Sequence, residues 1–414
     1  MTQESQWLTD RYWLSPYNYA DEVRQQFTLP ERVYFHEVTI REAVQTPHVS
    51  FRGDEKIRIA QALDELGVDS IETGPYISSE DKEVTKELTK MQHNGELKAK
   101  VTPLAHSTEA DIDLALECGA DRVIISQNAN PWTVKQLFDI DEDELIERLT
   151  RVTSYAKKNG LFTAVMAYDT YRAPLEFLER LHKSLVYEGG ADHIVISDTF
   201  GFALPWTVTY LVRKVKSWIP GIPIEHHGHN RYGLATAMMI AAVVGGAEVV
   251  HTSINAIGEA TGNAATEEVA MGIQLLLGVK TGINLDRIYS VCELVSELSK
   301  IPIPRNKPVV GENEFTCGTG MIFWAMQKLA NTERPFCLQS FPPELIGRKE
   351  GYKVILGQGC GRAIVRDKLE KMGFSATNEQ LMEIAQRVES DVVMPKWSVP
   401  DFAFEDIVRE VLSK

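Results

Sequence analysis

The feature that most constrains this chain is an eightfold alternation, in which short β-branched runs are each followed by a longer stretch of helical periodicity. The runs are Val33–Ile40, Val68–Glu72, Lys98–Pro103, Arg122–Ser126, Thr163–Ala167, His193–Ser197, Pro223–His226 and Glu248–Ser253. Between them lie amphipathic segments such as Asp54–Leu66, Glu109–Leu116, Glu142–Lys157, Leu175–Tyr187, Thr207–Ser217 and Leu234–Val244. Gly-Val-Asp, Gly-Ala-Asp and Gly-Gly-Ala turns close several helices just before the next strand, because glycine tolerates the left-handed residue of a helix C-terminus. Strands alternating with helices pair in parallel through right-handed crossovers, and eight such units close a (β/α)8 TIM barrel of about 250 residues. An open doubly wound sheet is the alternative, but no Gly-x-Gly-x-x-Gly turn follows the first run.

The barrel is therefore expected over 30–280, after an N-terminal segment 1–29. Beyond 280 the pattern breaks at Ile301-Pro-Ile-Pro-Arg-Asn-Lys-Pro308, where the prolines forbid a regular helix or central strand. Residues 281–414 are expected to form a mixed α/β C-terminal extension with helices near Glu379–Val388 and Phe404–Leu412.

Composition narrows the partners. A net charge of −15 disfavours nucleic acid, whose phosphates need a basic surface. No apolar run reaches the roughly 18 residues of a membrane span, and the N-terminus, Met1-Thr-Gln-Glu-Ser-Gln-Trp7, lacks the order of a secretory signal. Cys118, Cys292, Cys317, Cys337 and Cys360 are scattered without a Cys-x-x-Cys pair, which reads as reduced thiols in a cytoplasmic protein.

Barrel chemistry sits at the C-terminal ends of the strands. There the chain places Arg41-Glu42, Glu72, Ser197-Asp198-Thr199, His227-Gly-His229-Asn230 and, after the eighth run, Asn263. His227 and His229 are one residue apart and so share a strand face, a common half-site for a divalent metal. A lone His-x-His is also compatible with a purely structural pair. With Glu42 and Asn263 as oxygen donors the set suits zinc, manganese, iron or magnesium without choosing among them. Such an ion would act as a Lewis acid on a chelated 2-oxo acid. Arg41 is then the oxyanion partner or an ion-pair partner of Glu72. Thr199 is a carboxylate donor or a strand-end cap, and Arg172 a carboxylate clamp or a surface salt bridge.

These residues resemble the metal-dependent barrel superfamily (DRE-TIM metallolyases, pyruvate carboxyltransferase domain) of homocitrate synthase, 2-isopropylmalate synthase, citramalate synthase and 3-hydroxy-3-methylglutaryl-CoA lyase. Val38-Thr-Ile-Arg41-Glu42-Ala-Val-Gln45 is similar to the strand-one signature whose acidic residue binds metal, and its Glu is the homocitrate synthase form. Ile71-Glu72-Thr-Gly-Pro75, Asp198-Thr199-Phe-Gly, His227-Gly-His229-Asn230 and Gly258-Glu-Ala-Thr-Gly-Asn263 resemble the remaining motifs. Asn306-Lys-Pro-Val-Val-Gly311 and Pro342-Pro-Glu-Leu-Ile-Gly347-Arg348 resemble the linker subdomain of the synthases. The resemblance implies metal ligands Glu42, His227, His229 and Asn263, with Arg41 and Glu72 catalytic. It also implies substrate contacts from Thr199, Arg172, Gln45 and Asn230. The expected reaction is a metal-dependent Claisen condensation of an acyl-CoA with a 2-oxo acid, by a homodimer whose extension reaches the neighbouring barrel.

The departures from the pattern are local. The synthase segment Thr-His-Glu-Ser-Gly-Ile-His is here Thr316-Cys-Gly-Thr-Gly-Met-Ile322, without either histidine. Glu-Asp-x-x-Arg becomes Tyr168-Asp169-Thr-Tyr-Arg172. A carbon–carbon lyase or aldolase on the same metal, with Tyr168 or His106 moving the proton, is the second expectation. A barrel that only binds 2-oxo acids is the third.

Overall fold

All eight predicted runs become strands of one closed, wholly parallel barrel in the computed structural model: β1 (Tyr34–Glu37), β2 (Ser70–Thr73), β3 (Lys100–His106), β4 (Arg122–Asn128), β5 (Phe162–Tyr168), β6 (His193–Asp198), β7 (Ile224–Gly228) and β8 (Val249–Thr252). The structure describes residues 6–391 and 398–413; the first five residues of the N-terminal stretch read above lie outside them. β8 pairs with β1 in register Phe35↔Val250 and Glu37↔Thr252, which closes the ring.

Two units are compact in themselves, Pro16–Ile303 and a second that runs to Ser15 and resumes at Pro304. In the second, β9 (Thr316–Thr319) and β10 (Lys353–Gly359) pair in parallel. Helices Gly361–Lys371, Asn378–Asp391 and Asp401–Leu412 bury Ile364, Ile384, Phe404 and Val408 in one apolar core. No described helix is long and apolar enough to cross a membrane.

The helices follow their sequence signals. Leu175–Tyr187 buries Phe177, Leu178, Leu181 and Leu185, a stripe at helical spacing. Each such side chain contributes about 1.5–3 kcal/mol on burial. Gly67 ends Gly53–Leu66 at φ 91°, where a Cβ would overlap the Gly282 carbonyl, so only glycine fits. Helices Ser79–His93 and Pro131–Phe138 were not anticipated. Their sequences are polar or short, yet each has a side-chain N-cap, from Ser78 to the Asp81 amide and from Asn130 to the Trp132 amide.

One strand differs in a way that matters to function. The first run was read as extended to Ile40, but β1 stops at Glu37, and Thr39–Glu42 is a helical turn. The cause is the Glu37 carboxylate, which accepts the Thr39 amide (2.9 Å), the Thr39 hydroxyl (2.7 Å) and the Ile254 amide (3.0 Å). These bonds draw the chain out of the ladder and tie the rim after β1 to the rim after β8. Burial nevertheless pushes the Glu37 carboxyl up to about 7, against those hydrogen bonds.

His182 is fully buried on Leu175–Tyr187, and neither ring nitrogen has a hydrogen-bond partner. Burial pushes it down to about 4 from 6.5. The folded state thus stays neutral where the unfolded chain takes up a proton. This stability is whole above about pH 6.5 and is lost as pH falls toward 4, by ~3 kcal/mol at most. The stability difference between wild type and His182→Leu, measured by urea denaturation, is expected to drift in favour of the variant across that window. A pH-independent difference would refute the assignment.

Candidate active site

The interior of the barrel is divided. Leu104, Ile124, Ala164, Met166 and Val195 make an apolar patch over β3 to β6. The inward positions of β7, β8, β1 and β2 are instead Glu225, His227, His251, His36 and Glu72, all buried. Buried polar groups are costly without partners, and most of these have them. His193 Nδ1 and His251 Nε2 contact the two oxygens of Glu225 at 2.6 and 2.7 Å. His36 contacts Ser70 at 2.6 Å and Glu72 at 3.1 Å.

Above this layer, at the C-terminal rim, the predicted metal ligands converge. One atom each from Glu42, His227 and His229 lies within 4.8 Å of the others, and all three residues are buried. The two imidazole Nε2 atoms are 3.3 Å apart, and His227 Nε2 is 3.9 Å from Glu42 Oε1. Burial, reinforced by the His229 ring, pushes His227 well below its usual pKa, so its ring is neutral and has a lone pair to offer. Asn263 is fully buried, and neither its amide oxygen nor its nitrogen has a hydrogen-bond partner. Its backbone bridges that of His229. A Cβ at Gly258 would overlap Asn263 Oδ1, so this glycine keeps the amide in place. An orphaned buried amide beside two imidazoles and a carboxylate fits a divalent cation, and the donor set does not select which.

Arg41 stands against this cluster. Its guanidinium bonds Glu72 (2.5 Å), Glu42 (2.6 Å) and Gln45 (2.5 Å). Burial alone would push Arg41 down, but Glu42 and Glu72 outweigh it and raise its pKa. Burial likewise works against the Glu72 carboxylate, but Arg41 and the His36 hydrogen bond overcome it and hold Glu72 at about 2. The ion-pair reading of Arg41 is realised, and its charge is held fixed at the rim.

The other expected residues differ in how free they are. Thr199 Oγ1 accepts the Asp169 amide at 2.8 Å and lies 3.0 Å from Ser197 Oγ, which leaves its own proton for a ligand or for Ser197. Arg172 is gripped by Asp169 through two bonds (2.8 and 2.6 Å) and rests on the Phe200 ring at 4.3 Å. The salt-bridge reading of Arg172 is therefore realised. Asn230 Oδ1 accepts the Ala235 amide at 3.1 Å, at the start of helix Ala235–Gly245. His106, at the end of β3, is exposed, with Nδ1 3.0 Å from Asp111 and its ring edge-on to Tyr76. Tyr168 is half-buried at the end of β5, and burial raises its phenol pKa.

Three residues escaped the sequence reading. Tyr76 follows the strand-two motif and feels the charges of Arg41, Glu72 and Glu42; burial raises its phenol pKa. Reading that motif one residue further would have found it. Asp169 is buried at φ 61° and also accepts from the Asn130 amide nitrogen at 3.0 Å. His251, beside His36 at a ring distance of 4.3 Å, carried no motif that would have singled it out.

A closed (β/α)8 barrel with a carboxylate, two imidazoles and a buried Arg–Glu pair at the strand C-termini defines a class of barrel whose rim groups could hold a divalent cation. The chain belongs to the HMGL-like family, whose profile matches residues 32–295. It is 36% identical over 384 residues to homocitrate synthase AksA of Methanocaldococcus jannaschii, covering 92% of this chain and 91% of that protein. The 2-isopropylmalate synthase of that organism is 36% identical, covering 94% of this chain and 74% of the relative. Its (R)-citramalate synthase CimA is also 36% identical, with 92% and 75% covered. Among solved structures, the HMG-CoA lyase of Bacillus subtilis superposes with a TM-score of 0.59 at 23% identity, over 67% of this chain and 96% of that one. That likeness shows the fold.

Proposed function

We infer that this chain condenses an acyl-CoA with a 2-oxo acid at a divalent cation held by Glu42, His227, His229 and Asn263. The observation that carries this reading is the convergence of Glu42, His227 and His229 beside Arg41 at the barrel rim, with the unpartnered Asn263 amide on the segment bridged to His229. The names of its relatives, homocitrate, 2-isopropylmalate and (R)-citramalate synthases, support the same reaction class. When bound, the cation supplies Lewis-acid polarisation of the oxygens of a chelated 2-oxo acid.

The residues of the chain do the rest. Arg41, fixed by Glu72 and Gln45, presents a permanent positive charge where the ketone oxygen gains negative charge, and it needs no reorganisation to do so. Thr199 offers its hydroxyl proton to the substrate carboxylate. We assign proton removal from the acyl methyl group to His106 rather than Tyr168. Asp111 engages Nδ1 of His106 and so orients the ring with Nε2 free to accept, whereas burial moves the Tyr168 phenol further from neutral pH. Hydroxy-acid cleavage at the same cluster is the second reading, favoured by the histidine-free segment Thr316–Ile322.

Free CoA thiol release tests the assignment, with acetyl-CoA and longer acyl-CoAs run against a panel of 2-oxo acids, with and without chelator. One productive pair, silenced by chelator and restored by added metal, is the expected result. His106→Gln is expected to lower kcat roughly 100-fold, the usual range for a general base, with Tyr168→Phe close to wild type. Metal-loaded protein that releases no thiol with any pair would turn the assignment to cleavage.

A further inference from the structure

At the opposite, N-terminal mouth of the barrel lies a cavity of about 830 Å³, within the size range of small-molecule sites. Residues at this end of a barrel ordinarily serve stability, and such a mouth is expected to be plugged by side chains with their charges paired. Here the acids are all engaged, whereas three of the four lining Lys and Arg side chains are not.

The acids that line the cavity are all engaged. Asp64 accepts the amides of Lys98 and Ala99, both at 2.7 Å. Asp69 takes Arg32 at 2.7 Å and the Phe35 amide at 2.9 Å. Glu225 is shared by His193 and His251, and Glu248 holds Lys216 and the Ile224 amide. Glu65 reaches Arg287 at 3.6 Å.

Apart from Arg32, the Lys and Arg side chains are different. Lys98, Lys100 and Arg122 line the same cavity, and among the described residues none of their side chains has an ion pair or hydrogen bond. Arg122 has only the Phe162 ring beneath it, at 4.2 Å, which leaves its N–H edge open. Burial pushes its guanidinium pKa down despite Glu225, Asp121 and Asp192, so the charge is incompletely compensated. Thr102, only 4% exposed, also lines the cavity, and its hydroxyl has no hydrogen-bond partner. On β3, Lys100 and Thr102 are two residues apart and share a face.

We propose that this mouth is a second ligand site, for a small multivalent anion carrying carboxylate or phosphate groups. Arg122 is its bidentate fork, Lys98 and Lys100 are its point charges, and the Thr102 hydroxyl is an additional donor. The site is separate from the chemistry of the opposite rim and does not depend on it.

Titration calorimetry of the full chain with inorganic phosphate, and separately with succinate, tests the site and tells the two anion sources apart. Saturable binding of one anion is expected, weakening as salt is added. Arg122→Gln is expected to reduce affinity at least about tenfold, since it removes the charged fork. Lys100→Gln, at an exposed position where folding is safe, is expected to reduce it severalfold. Glu42→Gln, at the other rim, should leave it in place. No saturable binding of either anion would overturn the proposal, as would binding indifferent to both Lys100→Gln and Arg122→Gln. Binding abolished by Glu42→Gln would place the anion at the metal cradle and overturn it as well.

Discussion

His229→Gln is expected to abolish thiol release, by at least ~1,000-fold, and to remove the stabilisation that added metal gives the wild type. A ligand present at a thousandfold excess over its Kd stabilises the folded state by about 4 kcal/mol. That increment depends on the donors being present together in the fold. Glu42, His227 and His229 are buried with their ligating atoms clustered, and neither imidazole Nδ1 has a partner. The apo-protein therefore loses little when one ring goes, because it holds few of the cluster's hydrogen bonds. The signature is a melting temperature nearly unchanged without metal, together with a metal-induced rise present in wild type and missing in the variant. Turnover and a metal-induced rise that both survive in His229→Gln would sink the cradle. Loss of the fold itself would show as a lowered melting temperature without metal, and His227→Gln then provides the second readout.

The second large effect is at Arg41. Arg41→Gln leaves Glu72, fully buried, and Glu42, 1% exposed, without their shared cation. Removing one partner of a buried pair typically costs about 3–5 kcal/mol, since a desolvated charge remains behind. Activity is expected to fall by roughly 100- to 1,000-fold, the scale for losing one preorganised oxyanion donor. Arg41→Lys separates the two contributions. Lysine keeps the charge but cannot span Glu72, Glu42 and Gln45 from one planar fork. It should regain most of the stability, measured by urea denaturation, and little of the kcat. Full recovery of turnover in Arg41→Lys would show that charge alone suffices. An Arg41→Gln protein as stable as wild type would refute the buried-charge account.

Much of the molecule was legible before its coordinates. Strand and helix alternation is a local property, and side-chain periodicity with glycine-closed turns marked all eight barrel units. The rim rule then gathered Arg41, Glu42, Glu72, His227, His229 and Asn263 onto one end of the barrel, because strand C-termini carry the reacting groups. What escaped was long-range. The end of β1 is set by Glu37 reaching an amide more than two hundred residues away, at Ile254, so no window of local sequence contains the cause. Both a clamp and a salt bridge were open for Arg172 in sequence, and the salt bridge forms with Asp169, where the rim backbone turns left-handed. The polar half of the barrel interior was invisible for a similar reason. Glu225, His251 and His36 come from three separate strands, and each alone reads as an odd buried group. Closure of the ring is what brings them within hydrogen-bond or ring-contact reach of partners, and without those partners their burial would be prohibitive. Period and turn chemistry determined the barrel and the rim to which its candidate site residues belong. Which of those residues touch, and which charges remain unpaired at either mouth, depended on closing the ring, because contact and desolvation are properties of packed neighbours and not of neighbours in sequence.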